Sequence, residues 1–110
     1  MEEFALHVMN VLKQHYGISR YHDAYPSLDI ERYEGALTGE YRDDYNGIVL
    51  YLDAVLDLAN EEGIDPYEAI VITLTHEYIH YLQSPRWMKR YYTMGHNYFT
   101  HPYEVEAFSR

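Results

Sequence analysis

Two histidines and a glutamate stand close together in the stretch THEYIH, residues 75–80. His76 and His80 are four residues apart, so on an α-helix they share one face, with Cβ atoms roughly 5–6 Å apart. Two imidazoles at this spacing can bind one zinc ion at Zn–N distances of about 2.0–2.1 Å. Glu77 lies about 100° further round the helix, near a water on that ion but turned away from the ion itself. The pattern HExxH therefore predicts a hydrolytic zinc site with Glu77 as general base.

The alternative is that two histidines share a helix face without binding a metal. Burying them beside a glutamate would then require costly polar compensation, which favours the zinc site. Catalytic zinc usually has three protein ligands and an open position, so one more ligand is needed. The long metzincin pattern HExxHxxGxxH is excluded, because its Gly and His positions are Gln83 and Arg86 here. The remaining downstream candidates are His96, His101, Glu104 and Glu106.

The motif falls near the end of the helix with the clearest boundaries in the sequence. Asp65 is a good N-cap and Pro66 suits the first helical position. Pro85 disfavours helical geometry at the residue before it, so we predict a helix over 66–83. The β-branched run 70–73 has strand propensity, but the caps and the length of the segment favour a helix.

Further elements are predicted around this helix. They are a helix over 2–16, an extended connection over 18–35, a β-hairpin over 36–52 turning at Asn46-Gly47, a short helix capped by Asp53 and ended by Gly63, and a short helix from near Pro102. This pattern predicts a single α+β domain over residues 1–110.

Composition excludes several classes of partner and site. The chain has 18 acidic and 8 basic residues and a formal charge of −10, which disfavours binding to nucleic acid or to an anionic membrane surface. Without cysteine there is no disulfide and no thiolate ligand, so a metal must be held by histidines and carboxylates. No signal peptide or membrane-spanning segment is recognisable, so we expect a cytoplasmic protein without membrane insertion.

The motif HEYIH, followed some twenty residues later by YEVEA, resembles the gluzincin metallopeptidases. In that group a glutamate from a second helix completes the zinc site, commonly with alanine three residues on. The resemblance implies that Glu104 joins His76 and His80 as a ligand, with Ala107 as the alanine. Many relatives have an acidic residue next, where this chain has Phe108. Glu106, about 200° round the helix from Glu104, is predicted to be a solvated carboxylate.

The size and order of elements are similar to the minigluzincins, small proteins that resemble the catalytic domains of CAAX-type membrane metallopeptidases. The resemblance implies a small single-domain zincin in which a β-hairpin or small sheet packs on the active-site helix and a short C-terminal helix carries the glutamate. It also implies one Zn²⁺ per chain and a peptide or unfolded protein as substrate. The strand at 48–52 resembles the edge strand on which gluzincins bind peptides. The alternative is a plain core strand, since a buried apolar strand would show the same sequence. Candidates for stabilising the oxyanion are His96, His101 and Tyr103.

Two alternatives concern activity rather than fold. The chain could be a non-catalytic zinc-binding module with a regulatory or structural role. It could also be a latent peptidase, inhibited by a terminal segment of its own that lies across the cleft. A latent enzyme is expected to show weak or no cleavage as the intact chain.

Overall fold

Three helices and one three-stranded sheet make up the part of the chain that the computed structural model describes, which is residues 1–32, 35, 37–83 and 106–107. In chain order they are α1 (Glu2–Tyr16), β1 (Ser27–Glu31), β2 (Gly39–Arg42), β3 (Gly47–Tyr51), α2 (Leu52–Glu62) and α3 (Pro66–Leu82). This confirms a small α+β fold in which a sheet packs on the helix that carries HExxH. Within the described ranges, no helix has the length and apolar character needed to cross a bilayer.

The sheet has the order β1-β3-β2, with β1 parallel and β2 antiparallel to β3. The predicted hairpin is confirmed, and Asn46 makes its turn in a left-handed conformation, with φ of 55°. The interpretation of residues 48–52 as an edge strand is wrong, and the alternative of a core strand is confirmed. Part of the segment predicted as an extended connection, β1, pairs with the free side of β3 and makes β3 the central strand.

The helix boundaries follow the predictions closely at α1 and α3. Asp65 caps α3, since its side chain accepts a hydrogen bond from the Tyr67 backbone N–H at 2.8 Å. The predicted cap of α2 is wrong, because the helix begins at Leu52 and Asp53 lies inside its first turn. Asp53 instead forms an ion pair with Arg32 at 2.9 Å. The predicted start of the C-terminal helix near Pro102 lies outside the described residues, whereas residues 106–107 are helical.

Two tyrosines attach the last turns of α3 to the segment that follows α1. Tyr78 and Tyr81 are both fully buried. The hydroxyl of Tyr78 donates to the carbonyl of Gly17, and that of Tyr81 donates to the carbonyl of Ala24, each at 2.6 Å. A buried tyrosine that satisfies its hydroxyl adds directional contacts to its apolar packing. These bonds therefore hold in place the helical turns that carry His76, Glu77 and His80.

Candidate metal centre

The two histidines of the motif face each other on α3. Their Nε2 atoms lie 3.2 Å apart, and their rings are nearly perpendicular, at 82°. Two nitrogen ligands of a tetrahedral zinc ion, each about 2.0–2.1 Å from the metal, lie about 3.3 Å from each other. The pair formed by His76 and His80 therefore already has the separation that a shared zinc ion requires.

The same separation also fits an N–H···N hydrogen bond between two neutral imidazoles. This is the structural alternative to metal binding, and it uses the same two atoms. The distance between the two Nε2 atoms is compatible with either a shared proton or a shared zinc ion. The nitrogen pair thus fits the metal, and the two interpretations are separated by metal titration.

Glu77 is buried, with 7% of its surface exposed, although it is a carboxylate. Strand β2 runs close to it: a Cβ atom added at Gly39 would lie 3.4 Å from Glu77 Cγ and 3.0 Å from Thr73 Cγ2. The edge of the sheet thus approaches α3 at the turn that carries the predicted general base. This contact limits the positions open to the Glu77 side chain.

We expect Gly39→Ala to destabilise the protein by about 1–2 kcal/mol. The added methyl would meet Thr73 Cγ2 and, at 3.2 Å, the backbone carbonyl of Val49, which cannot move aside freely. Overpacking of this kind destabilises the folded state. This effect is larger than the stabilisation that alanine gives by lowering the conformational entropy of the unfolded chain. Urea unfolding of both proteins measures the difference.

The control for Gly39→Ala is Thr73→Ser, which removes the closest methyl group. In the double variant part of the lost stability should return, giving a coupling energy of about 0.5 kcal/mol or more. Equal midpoints for wild type and Gly39→Ala would show that β2 does not press on α3 at this point.

A chain of two hydrogen bonds leads from His80 through Gln83 to Glu106 at the protein surface. His80 Nδ1 lies 2.7 Å from Gln83 Oε1, and Gln83 Nε2 donates to Glu106 Oε1 at 3.0 Å. Glu106 is exposed, as predicted, but it also accepts this bond. No role for the Gln83 side chain was predicted from the sequence. Its only sequence signal is the spacing of three residues from His80, which places two side chains on one helix face.

The third ligand cannot be placed among the described residues. They contain no group of three His, Asp or Glu side chains that could hold a metal. The predicted ligand Glu104 and three further candidates for ligand or oxyanion roles lie outside them, namely His96, His101 and Tyr103. Of the downstream candidates only Glu106 is described, and it is exposed and bonded to Gln83. Ala107, three residues after the predicted ligand, is buried with 4% of its surface exposed. The structure thus brings His76, Glu77 and His80 together, and Glu104 stays a prediction.

The candidate site consists of two converging imidazoles, a buried glutamate that directly follows the first of them in the chain, and an amide that binds one of the rings. Comparisons of the chain with protein-family models, with curated proteins and with solved structures find no match.

Proposed function

We propose that this protein is a zinc-dependent metallopeptidase that binds one Zn²⁺ per chain through His76, His80 and Glu104. The observation that supports it most is the 3.2 Å separation of the two Nε2 atoms, which matches two corners of a zinc tetrahedron. A His₂Glu ligand set leaves the fourth position open to water, as hydrolysis requires. The acidic, cysteine-free composition is compatible with this ligand chemistry.

Glu77 is the proposed general base. When bound, Zn²⁺ supplies the acidity of a coordinated water and polarises the substrate carbonyl. The Glu77 carboxylate takes the proton from the attacking water and later delivers it to the leaving amine. Glu77 directly follows His76 on α3 and is buried beside β2, so its side chain is held within the protein rather than extended into solvent.

Strand β2 is the proposed place for an extended substrate. Of the described strands, β2 lies at one edge of the sheet and passes beside Glu77. An edge strand offers main-chain hydrogen bonds to an extended peptide, which gives affinity for many sequences. This replaces the role predicted for β3, whose two sides are both paired.

The proposal is tested by incubating the zinc-loaded protein with a broad peptide library, with and without a chelator. Cleavage products are identified by mass spectrometry, before and after limited proteolysis of the protein. We expect chelator-sensitive cleavage, weak in the intact chain and increased once a terminal segment is removed. Zinc binding without cleavage in either form would contradict the peptidase and support the non-catalytic zinc module. Strong cleavage by the untreated chain would contradict latency alone.

The third ligand is identified by competitive zinc titration of three variants. We expect Glu104→Ala to lose the most affinity, because it removes a ligand, and Glu106→Ala to lose the least. His101→Ala should fall between them. Release of zinc by His101→Ala together with retention by Glu104→Ala would replace the His₂Glu set by three histidines.

A further inference from the structure

Gln83 is buried between a ring of the candidate metal centre and a surface carboxylate. Only 5% of its surface is exposed. Its Oε1 lies 2.7 Å from His80 Nδ1, and its Nε2 lies 3.0 Å from Glu106 Oε1. Both ends of the amide are therefore engaged, and each end contacts a different partner.

The chemistry of the two partners decides the direction of these hydrogen bonds. An ionised carboxylate such as Glu106 only accepts, so the donor that faces it must be the amide Nε2 of Gln83. The carbonyl Oε1 is then the end that faces His80, and it too only accepts. The proton must therefore be on His80 Nδ1. In a neutral imidazole this leaves a lone pair on Nε2, the atom that faces His76.

We propose that Gln83, oriented by Glu106, is a positioning residue that holds His80 in the Nδ1–H tautomer with the Nε2 lone pair directed at the metal position. The tautomer follows from the hydrogen bonds alone, whereas its use in zinc binding rests on the proposed function. A ligand histidine whose other nitrogen is bound has its ring orientation and tautomer set before the metal arrives.

The end of α3 explains how Gln83 reaches the ring. The helix ends at Leu82, and Gln83 has extended backbone geometry, with ψ of 156°. Its backbone N–H still donates to the carbonyl of His80, at 3.1 Å. The capping bond belongs to the backbone and survives a change of side chain. The side chain is thus available for the ring, and substituting it tests positioning rather than helix capping.

An amide at this position orients the ring without placing a full negative charge against it. The negative charge of this hydrogen-bonded chain lies on Glu106, which is exposed to solvent. Support of a ligand histidine would come from the end of the motif helix itself, through Gln83.

The first test is the tautomer of His80 in the metal-free protein, measured by two-bond ¹H–¹⁵N correlation at a pH of about 8, where imidazoles are neutral. We expect a protonated Nδ1 and an unprotonated Nε2 in wild type. Gln83→Met preserves the length of the side chain but removes both hydrogen bonds, so protonation should move toward Nε2. A wild-type ring protonated at Nε2, or an unchanged tautomer in Gln83→Met, would overturn the proposal.

The second test is competitive zinc titration. Gln83→Met should weaken zinc binding by about 10- to 100-fold. The double variant Gln83→Glu with Glu106→Gln exchanges the two groups. The carboxylate at position 83 accepts a hydrogen bond from His80 Nδ1, and the amide at position 106 donates to that carboxylate. Zinc affinity and the tautomer of His80 should therefore return toward those of wild type. Gln14→Met on the exposed surface of α1 is the matched control and should change neither.

The two readouts separate this inference from the proposed function. Absence of zinc binding in wild type would contradict the metallopeptidase, and the tautomer measurement would still decide the role of Gln83. Zinc binding with equal affinity in wild type and Gln83→Met would contradict the positioning role while leaving the metal site intact. Failure of the double variant to recover, with its fold preserved by NMR, would also contradict it.

Discussion

Glu77→Gln is expected to lower kcat for peptide hydrolysis by at least about 100-fold while leaving zinc bound. The glutamine has almost the same shape as glutamate but cannot take a proton from water. Because Glu77 is not one of the proposed ligands, zinc affinity should change little. The measurement is kcat for a peptide from the library, in the form of the protein with the highest activity, alongside the zinc content.

The matched control for Glu77→Gln is Glu68→Gln, an exposed glutamate in the first turn of the same helix. It removes one negative charge from α3 at a distance from the site and should leave kcat unchanged. Equal peptide cleavage by wild type and Glu77→Gln would show that the mechanism assigned to Glu77 is wrong. Loss of zinc from Glu77→Gln would instead indicate that this carboxylate is a ligand.

Zinc is expected to raise the free energy of unfolding of wild type, and His76→Ala is expected to abolish that gain. A ligand that binds only the native state stabilises it by about 4.1 kcal/mol at 1,000 times its Kd. Removing one of the two converging imidazoles leaves too few ligands for tight binding. Thermal unfolding with zinc and with a chelator measures the gain in each protein.

His7→Ala is the control for His76→Ala, since His7 is exposed on α1 and should keep the full zinc-dependent rise in Tm. His80→Ala should also lose the zinc effect, and its Tm without zinc should be lower as well. That additional loss is expected because the hydrogen bond between His80 and buried Gln83 is removed, and such a bond contributes about 0.5–1.5 kcal/mol. A zinc-dependent rise in both histidine variants would contradict the proposed metal site.

The sequence by itself determined the features that depend on neighbouring residues. The cap at Asp65, the spacing of His76 and His80, and the turn at Asn46 were all predicted correctly. Helix caps act within one turn, positions four apart share a helix face by geometry, and a left-handed turn residue acts on its own backbone. For the same reason a β-branched run inside a well-capped segment was correctly predicted as helix.

The tertiary structure alone decided which distant segments meet. β1 pairs with β3, so the strand predicted at an edge of the sheet is the central one. Asp53 forms an ion pair with Arg32 rather than capping α2. In the site, Gln83 meets Glu106 across 23 residues of chain. Local propensities do not predict such contacts. They form only when the free energy gained by packing the whole chain offsets the entropy lost in closing the intervening loops.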